Sequence, residues 1–157
     1  MAGNIESMLR LNAVSLAITA LLLQSGCERL EMIERSYGTL ADAVKAEAVG
    51  NDKWIPTLLP PSATEIKEVH NIDTNETWLT FRFDFWQVST IDKRCKRVGI
   101  ETLARARKRP RPWWPESLVR GAAKTQPNGQ YRYYQCGAKS FLSIDSVNNM
   151  AYYWTLS

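Results

Sequence analysis

Residues 76–83, with the sequence ETWLTFRF, carry the clearest strand pattern in the chain and decide its fold class. The apolar residues Leu79, Phe81 and Phe83 alternate with polar residues, as in a strand that buries one face. Residues 65–72 form a second such segment, and the Asp-Thr-Asn sequence between the two favours a tight turn. The two segments therefore predict an antiparallel hairpin.

Further strands are predicted on both sides of this hairpin, at residues 31–37, 130–136, 141–145 and 150–155. Between the hairpin and the earlier strand, the prolines of residues 54–66 exclude regular structure, whereas Trp54, Ile55 and Leu58 need burial. We expect this segment to pack in an extended conformation over the core. Residues 121–130 have the composition of a flexible loop.

Helices are predicted to be short and few. Thr39 is a suitable N-cap for a helix over residues 40–49, with Asp42 in the capping-box position. Its apolar stripe consists of Leu40, Val44 and Ala48. A short helix is also expected within residues 85–95 and a single turn after Pro115. The sequence therefore predicts an α+β fold, an antiparallel sheet of about five or six strands with two or three short helices on one face.

The N-terminal stretch, residues 9–27 with the sequence LRLNAVSLAITALLLQSGC, resembles a bacterial lipoprotein signal peptide. Arg10 supplies the positive end, an apolar run follows, and Ser25-Gly26 are the small residues that precede a cleavage site. Cys27 is then the lipid acceptor. Gln24 departs from the pattern, which has a small or aliphatic residue there. The alternative is an uncleaved helix that is buried or dips into the membrane.

This pattern predicts both the domain organisation and the location of the protein. Residues 1–26 would be the signal peptide, with Met8 as the expected start, and residues 27–157 a single envelope domain held in the membrane by lipid, such as palmitate, on Cys27. Glu28 stands where an aspartate would retain a lipoprotein in the inner membrane. We therefore expect the bacterial outer membrane, facing the periplasm.

Cys95 and Cys136 remain once Cys27 is assigned to lipid. An even pair in an oxidising compartment is expected to form a disulfide. The alternatives are two inert thiols, or redox or metal chemistry, although neither cysteine has CxxC or zinc-type spacing. The pairing depends on acylation of Cys27, because the number of cysteines is otherwise odd.

Several motifs resemble those of small bacterial lipoproteins of the YbbD head-domain group. They are WIPTLLPPSATEI at residues 54–66, HNIDTNETW at residues 70–78, and FRF at residues 81–83, followed by Trp113-Trp114-Pro115 and Tyr152-Tyr153-Trp154. The resemblance covers most of residues 39–156. It implies an envelope location and no known activity.

A basic cluster lies within residues 93–112, and the formal net charge of the chain is +4. Its candidate residues for binding an anionic envelope surface are Arg105, Arg107, Lys108, Arg109 and Arg111. The alternative is a solvated loop. An export signal argues against nucleic acid as a partner, and Trp113-Trp114 is expected to plug the core rather than stack on a ligand.

The residues for catalysis are few. His70 is the only histidine, so neither a Ser-His-Asp triad nor a multi-histidine metal site can be assembled, and no nucleotide or hydrolase motif is present. We expect no catalytic residues, metal or cofactor, and a non-enzymatic module that binds an envelope protein or an anionic envelope component. The rivals are an envelope hydrolase of cell-wall or lipid material, with His70 and Asp73 as its polar pair, and an immunity or inhibitor protein.

Overall fold

Seven strands form one sheet in the computed structural model, which describes residues 31–122 and 129–157. The strands are β1 (Met32–Thr39), β2 (Thr64–Asn71), β3 (Thr77–Arg82), β4 (Lys96–Val98), β5 (Tyr131–Gln135), β6 (Ser140–Asp145) and β7 (Met150–Thr155). Their order across the sheet is β1-β2-β3-β7-β6-β5-β4. In this order, neighbouring strands from β2 through β7 to β4 pair in antiparallel orientation. The last strand of the sequence therefore lies in the middle of the sheet.

Within the described residues, helical structure is confined to short segments. The helices are α1 (Leu40–Lys45) and α2 (Val88–Asp92), with 3₁₀ turns at Phe85–Gln87 and Glu116–Leu118. The predicted α+β fold of five or six strands with two or three helices is therefore wrong, because a seven-stranded antiparallel sheet dominates. The missed strand is β4, whose charged residues Lys96 and Arg97 show no alternation and which is recognised only by its pairing with β5.

Helix α1 begins as predicted and ends early. Thr39 accepts a hydrogen bond from the backbone N–H of Asp42, and the Asp42 carboxylate accepts one from the backbone N–H of Thr39, which completes the capping box. The helix stops at Lys45, and Glu47 has a positive φ of 55°. The predicted stripe is wrong at Val44, which is 56% exposed, whereas Leu40 and Ala48 pack against the core beside the fully buried Ala43. Ala43 is the only fully buried residue of this short helix.

One face of the sheet carries the main core. Leu79 and Phe81 of β3 pack there with Leu142 and Ile144 of β6 and with Ala151 of β7. The irregular segment of residues 54–63 lies over these side chains and buries its own apolar residues, namely Ile55, Leu58, Leu59 and Ala63. The proline-rich segment thus packs over the core as its composition predicts.

The opposite face is covered as well. Trp114 is fully buried, and its ring meets that of Trp154 edge-on with 5.8 Å between centroids. The indole N–H of Trp154 donates to the carbonyl oxygen of Ala104, which ties β7 to the segment of residues 103–118. Strand β3 is therefore buried on both faces, and the expectation of one polar face is wrong. Thr80 is buried on this side and donates its hydroxyl to the carbonyl oxygen of Ala151.

The predicted Cys95–Cys136 disulfide is present. It joins the turn that follows α2, where the Cys95 N–H donates to the carbonyl oxygen of Ile91, to the residue that follows β5. Residues 33–157 form one compact unit, and no helix among the described residues is long and apolar enough to cross a membrane.

Candidate functional site

A cleft of about 450 Å³ opens on the main-core face, at the end of the sheet that carries the disulfide. Its floor includes Thr77 of β3 and both Tyr153 and Thr155 of β7, and Ser140 of β6 lies beside them. The opposite wall is the loop of residues 50–58. The volume lies within the range of about 300–1,000 Å³ that is typical of small-molecule sites.

The charged residues that line this cleft are all cationic. Lys53 comes from the loop and Arg94 from the turn after α2, and no aspartate or glutamate lines the cavity. One terminal nitrogen of Arg94, Nη1, donates to the carbonyl oxygen of Thr57 at 3.1 Å and to its hydroxyl at 2.8 Å. Neither cation forms an ion pair with a carboxylate in the described part of the chain. The lining of the cleft therefore carries positive charge and no carboxylate.

Beside the cleft, Glu68 and His70 form a buried pair on β2. Their side chains are 1% and 2% exposed, and Oε1 of Glu68 lies 2.6 Å from Nδ1 of His70. Burial raises the pKa of Glu68 to about 7, against the opposing charge of Arg35. Burial, followed by repulsion from Arg35, lowers the pKa of His70. Burial therefore favours the uncharged form of each group, a protonated carboxyl for Glu68 and a neutral imidazole for His70.

Trp54 separates this pair from the cleft. Its ring stacks on the His70 ring with 3.9 Å between centroids and 6° between planes. The same indole lines both the cleft and a smaller cavity of about 160 Å³, which Arg35 and Glu68 also line. His70 is thus covered on a ring face and has no open path to a ligand in the cleft.

The polar pair expected of a hydrolase, His70 with Asp73, is not brought together. The partner of His70 is Glu68 on the same strand. Asp73 is exposed in the β2–β3 turn, where its backbone N–H donates to the side chain of Asn71. The interpretation of residues 73–75 as a turn is correct, and Asn75 adopts the left-handed φ of 56° that asparagine tolerates.

The comparisons with known proteins bear on the first half of this structure. Residues 31–82 match the YbbD head domain. The predicted resemblance is confirmed over these residues, which contain β1, α1, the loop of residues 50–58 and the β2–β3 hairpin. The remainder of the expected resemblance, residues 83–156, lies beyond the match. No curated protein and no solved structure matches the chain.

The YbbD head match includes only part of the cleft. Lys53, Trp54 and Thr77 fall within it, whereas Arg94 and Ser140 lie in the sequence that follows. The buried pair of Glu68 and His70 belongs wholly to the match. The cleft therefore combines the YbbD head segment with elements that the C-terminal half of the chain supplies.

The predicted basic cluster follows the YbbD head segment, and the four arginines among its candidate binding residues already contact the protein. Arg105 and Arg109 donate to the carbonyl oxygens of Ala122 and Trp114. The remaining two arginines face carboxylates: Nε of Arg107 lies 3.6 Å from Glu76, an ion pair without a hydrogen bond, and Nε of Arg111 donates to Glu34 at 2.8 Å. These contacts stabilise the segment that covers Trp154. Binding of an anionic surface by the cluster, including the exposed Lys108, stays a prediction.

Sequence reasoning missed Lys53, Trp54 and Glu68 as site residues. The sequence showed Arg94 only as one of several basic residues. Its position in the cleft depends on the turn after α2, which the sequence pattern does not specify. The predicted lipid attachment at Cys27 and the signal peptide of residues 1–26 lie outside the described residues. Within residues 31–122 and 129–157, no group of three or more His, Cys, Asp or Glu side chains is arranged to hold a metal ion.

Proposed function

We propose that this chain is a membrane-anchored, non-enzymatic binding module of the bacterial cell envelope, and that the cleft holds its ligand. The observation that carries the proposal is the cleft itself, about 450 Å³ in volume and lined by Lys53 and Arg94 without a carboxylate. The lipobox-like sequence ending at Cys27 supports attachment through lipid, with the outer membrane facing the periplasm as the location. The YbbD head match over residues 31–82 supports the same kind of protein.

Binding is favoured over catalysis because the titratable pair beside the cleft is covered. A general base must come within hydrogen-bond reach of the proton that it removes. His70 is 2% exposed and lies against the Trp54 ring, and Glu68 is 1% exposed. A hydrolase that relies on this pair would have to move Trp54 before each turnover.

The anchor is tested by metabolic labelling in a bacterial host with an alkyne fatty acid, comparing wild type with Cys27→Ala. We expect wild type to be labelled, the variant to be unlabelled, and the intact mass of wild type to correspond to a chain that begins at acylated Cys27. An unlabelled wild-type chain that retains residues 1–26 would contradict the membrane anchor.

Binding through the cleft is tested with the full acylated chain in detergent, presented with peptidoglycan sacculi, lipopolysaccharide and purified envelope proteins. Asn51→Trp places a large ring at the rim of the cleft. Val147→Trp is the matched control, because Val147 is 71% exposed in the β6–β7 turn, at the opposite end of the sheet. We expect wild type and the control to bind at least one component that Asn51→Trp does not bind. Equal binding by all three proteins, or by none, would refute a role for the cleft.

A further inference from the structure

We infer that the ligand of the cleft carries an oxyanion, either a phosphate or a carboxylate, which Arg94 and Lys53 hold between them. This inference rests on the proposed function, because it names the chemistry that the cleft recognises. Arg94 and Lys53 approach the same cavity from different parts of the chain, one after α2 and one from the loop of residues 50–58. Their convergence is a property of the fold and not of the local sequence.

Arg94 is held in a conformation that leaves its anion-binding edge available. A guanidinium has five N–H donors, and the two on Nη1 are directed at the carbonyl and hydroxyl oxygens of Thr57. The remaining donors, on Nε and Nη2, have no acceptor among the described residues. These donors form the parallel fork that binds a carboxylate or a phosphate through two hydrogen bonds. Because Thr57 already orders the side chain, less conformational entropy is lost when the anion binds.

Lys53 supplies the second positive charge from a constrained turn. The backbone N–H of Lys53 donates to the carbonyl oxygen of Gly50 at 3.4 Å. A Cβ atom at position 50 would lie 3.0 Å from Cγ of Lys53, so the aliphatic part of the lysine rests against the glycine. An ammonium group is a compact charge that binds phosphate or carboxylate without a fixed geometry. It therefore complements the directional fork of Arg94.

Neutral polar groups complete the cleft. The hydroxyls of Ser140 and Tyr153 belong to residues that line the floor, and Thr155 accepts a hydrogen bond from the backbone N–H of Thr77. These groups suit the hydroxyls of a polar molecule that extends beyond its oxyanion, and the volume of about 450 Å³ exceeds what an isolated phosphate fills. A wholly apolar ligand would leave both cations desolvated without a counter-charge, which is unfavourable.

The experiment is an isothermal titration of the full chain in detergent with three probes: glucose 6-phosphate, glucuronate and glucose. We expect one or both anionic probes to bind and glucose not to bind. The stronger of the two anionic probes identifies phosphate or carboxylate as the preferred group. Arg94→Gln should weaken that binding by about tenfold or more, since it removes charge-assisted hydrogen bonds. Arg97→Gln is the matched control, because Arg97 lies on the neighbouring β4, is exposed and does not line the cleft.

The salt dependence of wild type gives a second measurement that does not depend on the folding of a variant. Affinity for the anionic probe should fall as ionic strength rises, because the exposed cations are screened. Absence of binding by both anionic probes, or equal affinity for glucose, would overturn the oxyanion inference. In that case, loss of envelope binding in Asn51→Trp would still support the cleft as the binding site, so the two proposals fail separately.

Discussion

Replacement of Glu68 by glutamine should change how the stability of the protein depends on pH. Burial raises the pKa of Glu68 from 4.5 to about 7, so the folded protein retains a proton there that the unfolded chain has already released. Stability from this group is complete below pH 4.5 and is lost as the pH rises through about 7. A difference of 2.5 between the folded and unfolded pKa values corresponds to about 3 kcal/mol of unfolding free energy.

The histidine of the pair acts with the opposite sign. The pKa of His70 is lowered by burial, so its contribution is present above pH 6.5 and is lost as the pH falls through the folded value. The free energy of unfolding of wild type at each pH is subtracted from that of Glu68→Gln. This difference removes the contribution that His70 makes equally to both proteins. The difference should rise by about 3 kcal/mol in favour of the variant between pH 4.5 and pH 7.

The assay is urea unfolding, followed by tryptophan fluorescence, at several pH values between about 4 and 8, which span the range from 4.5 to about 7 over which the pKa of Glu68 is raised. Glu65→Gln is the matched control: it makes the same chemical change on β2, but Glu65 is 62% exposed and pairs with Arg82 at the surface. We expect the control to follow wild type closely. Parallel curves for wild type and Glu68→Gln would refute the argument that burial keeps Glu68 protonated.

Three further variants test the contacts that stabilise the fold. The double variant Cys95→Ala/Cys136→Ala should lose about 4 kcal/mol of unfolding free energy, because the disulfide joins residues that are 41 positions apart. Wild type with the disulfide reduced should unfold at the same urea concentration as the double variant. An unfolding midpoint equal to that of oxidised wild type would contradict a stabilising role for the disulfide. Trp114→Ala should lower the free energy of unfolding by about 3–5 kcal/mol in the same assay, because Trp114 is fully buried. The control is Trp86→Ala, at a residue that is 76% exposed, and it should change this free energy by less than about 0.5 kcal/mol. Similar losses in the two variants would contradict the burial of Trp114. Thr39→Ala should cost about 1 kcal/mol through loss of the capping box, and no change in thermal unfolding would argue against that cap.

Local sequence signals predicted the strands whose side chains alternate or lie next to turn residues. The hairpin of β2 and β3 and the three C-terminal strands appear within a few residues of their predicted bounds. Strand β4 escaped prediction because Lys96 and Arg97 owe their conformation to the backbone of β5 and not to their own propensity. Helix α1 was extended too far for a related reason, since good helix formers continue past Lys45 while the bridge between Val49 and Ile55 turns the chain away.

The candidate site was harder to predict than the fold because its residues meet only through tertiary contacts. Lys53 and Arg94 are 41 positions apart, and nothing in either neighbourhood signals that they share a cavity. Glu68 looks like an ordinary outward residue of a half-buried strand, and its burial depends on residues distant in sequence, which include Arg35 of β1 and Trp54 of the loop. The disulfide was predicted because it depends on a count and a compartment, neither of which requires three-dimensional information.

The position of β7 at the centre of the sheet has a consequence for the order in which the protein can fold. Strands β1 to β3 and strands β4 to β6 lie on opposite sides of β7, and in the sheet order the two groups are joined only through this strand. A chain that emerges from its N-terminus therefore exposes two unpaired strand edges until Met150–Thr155 arrives. The sheet is therefore completed late, when Met150–Thr155 pairs with β3 on one side and with β6 on the other.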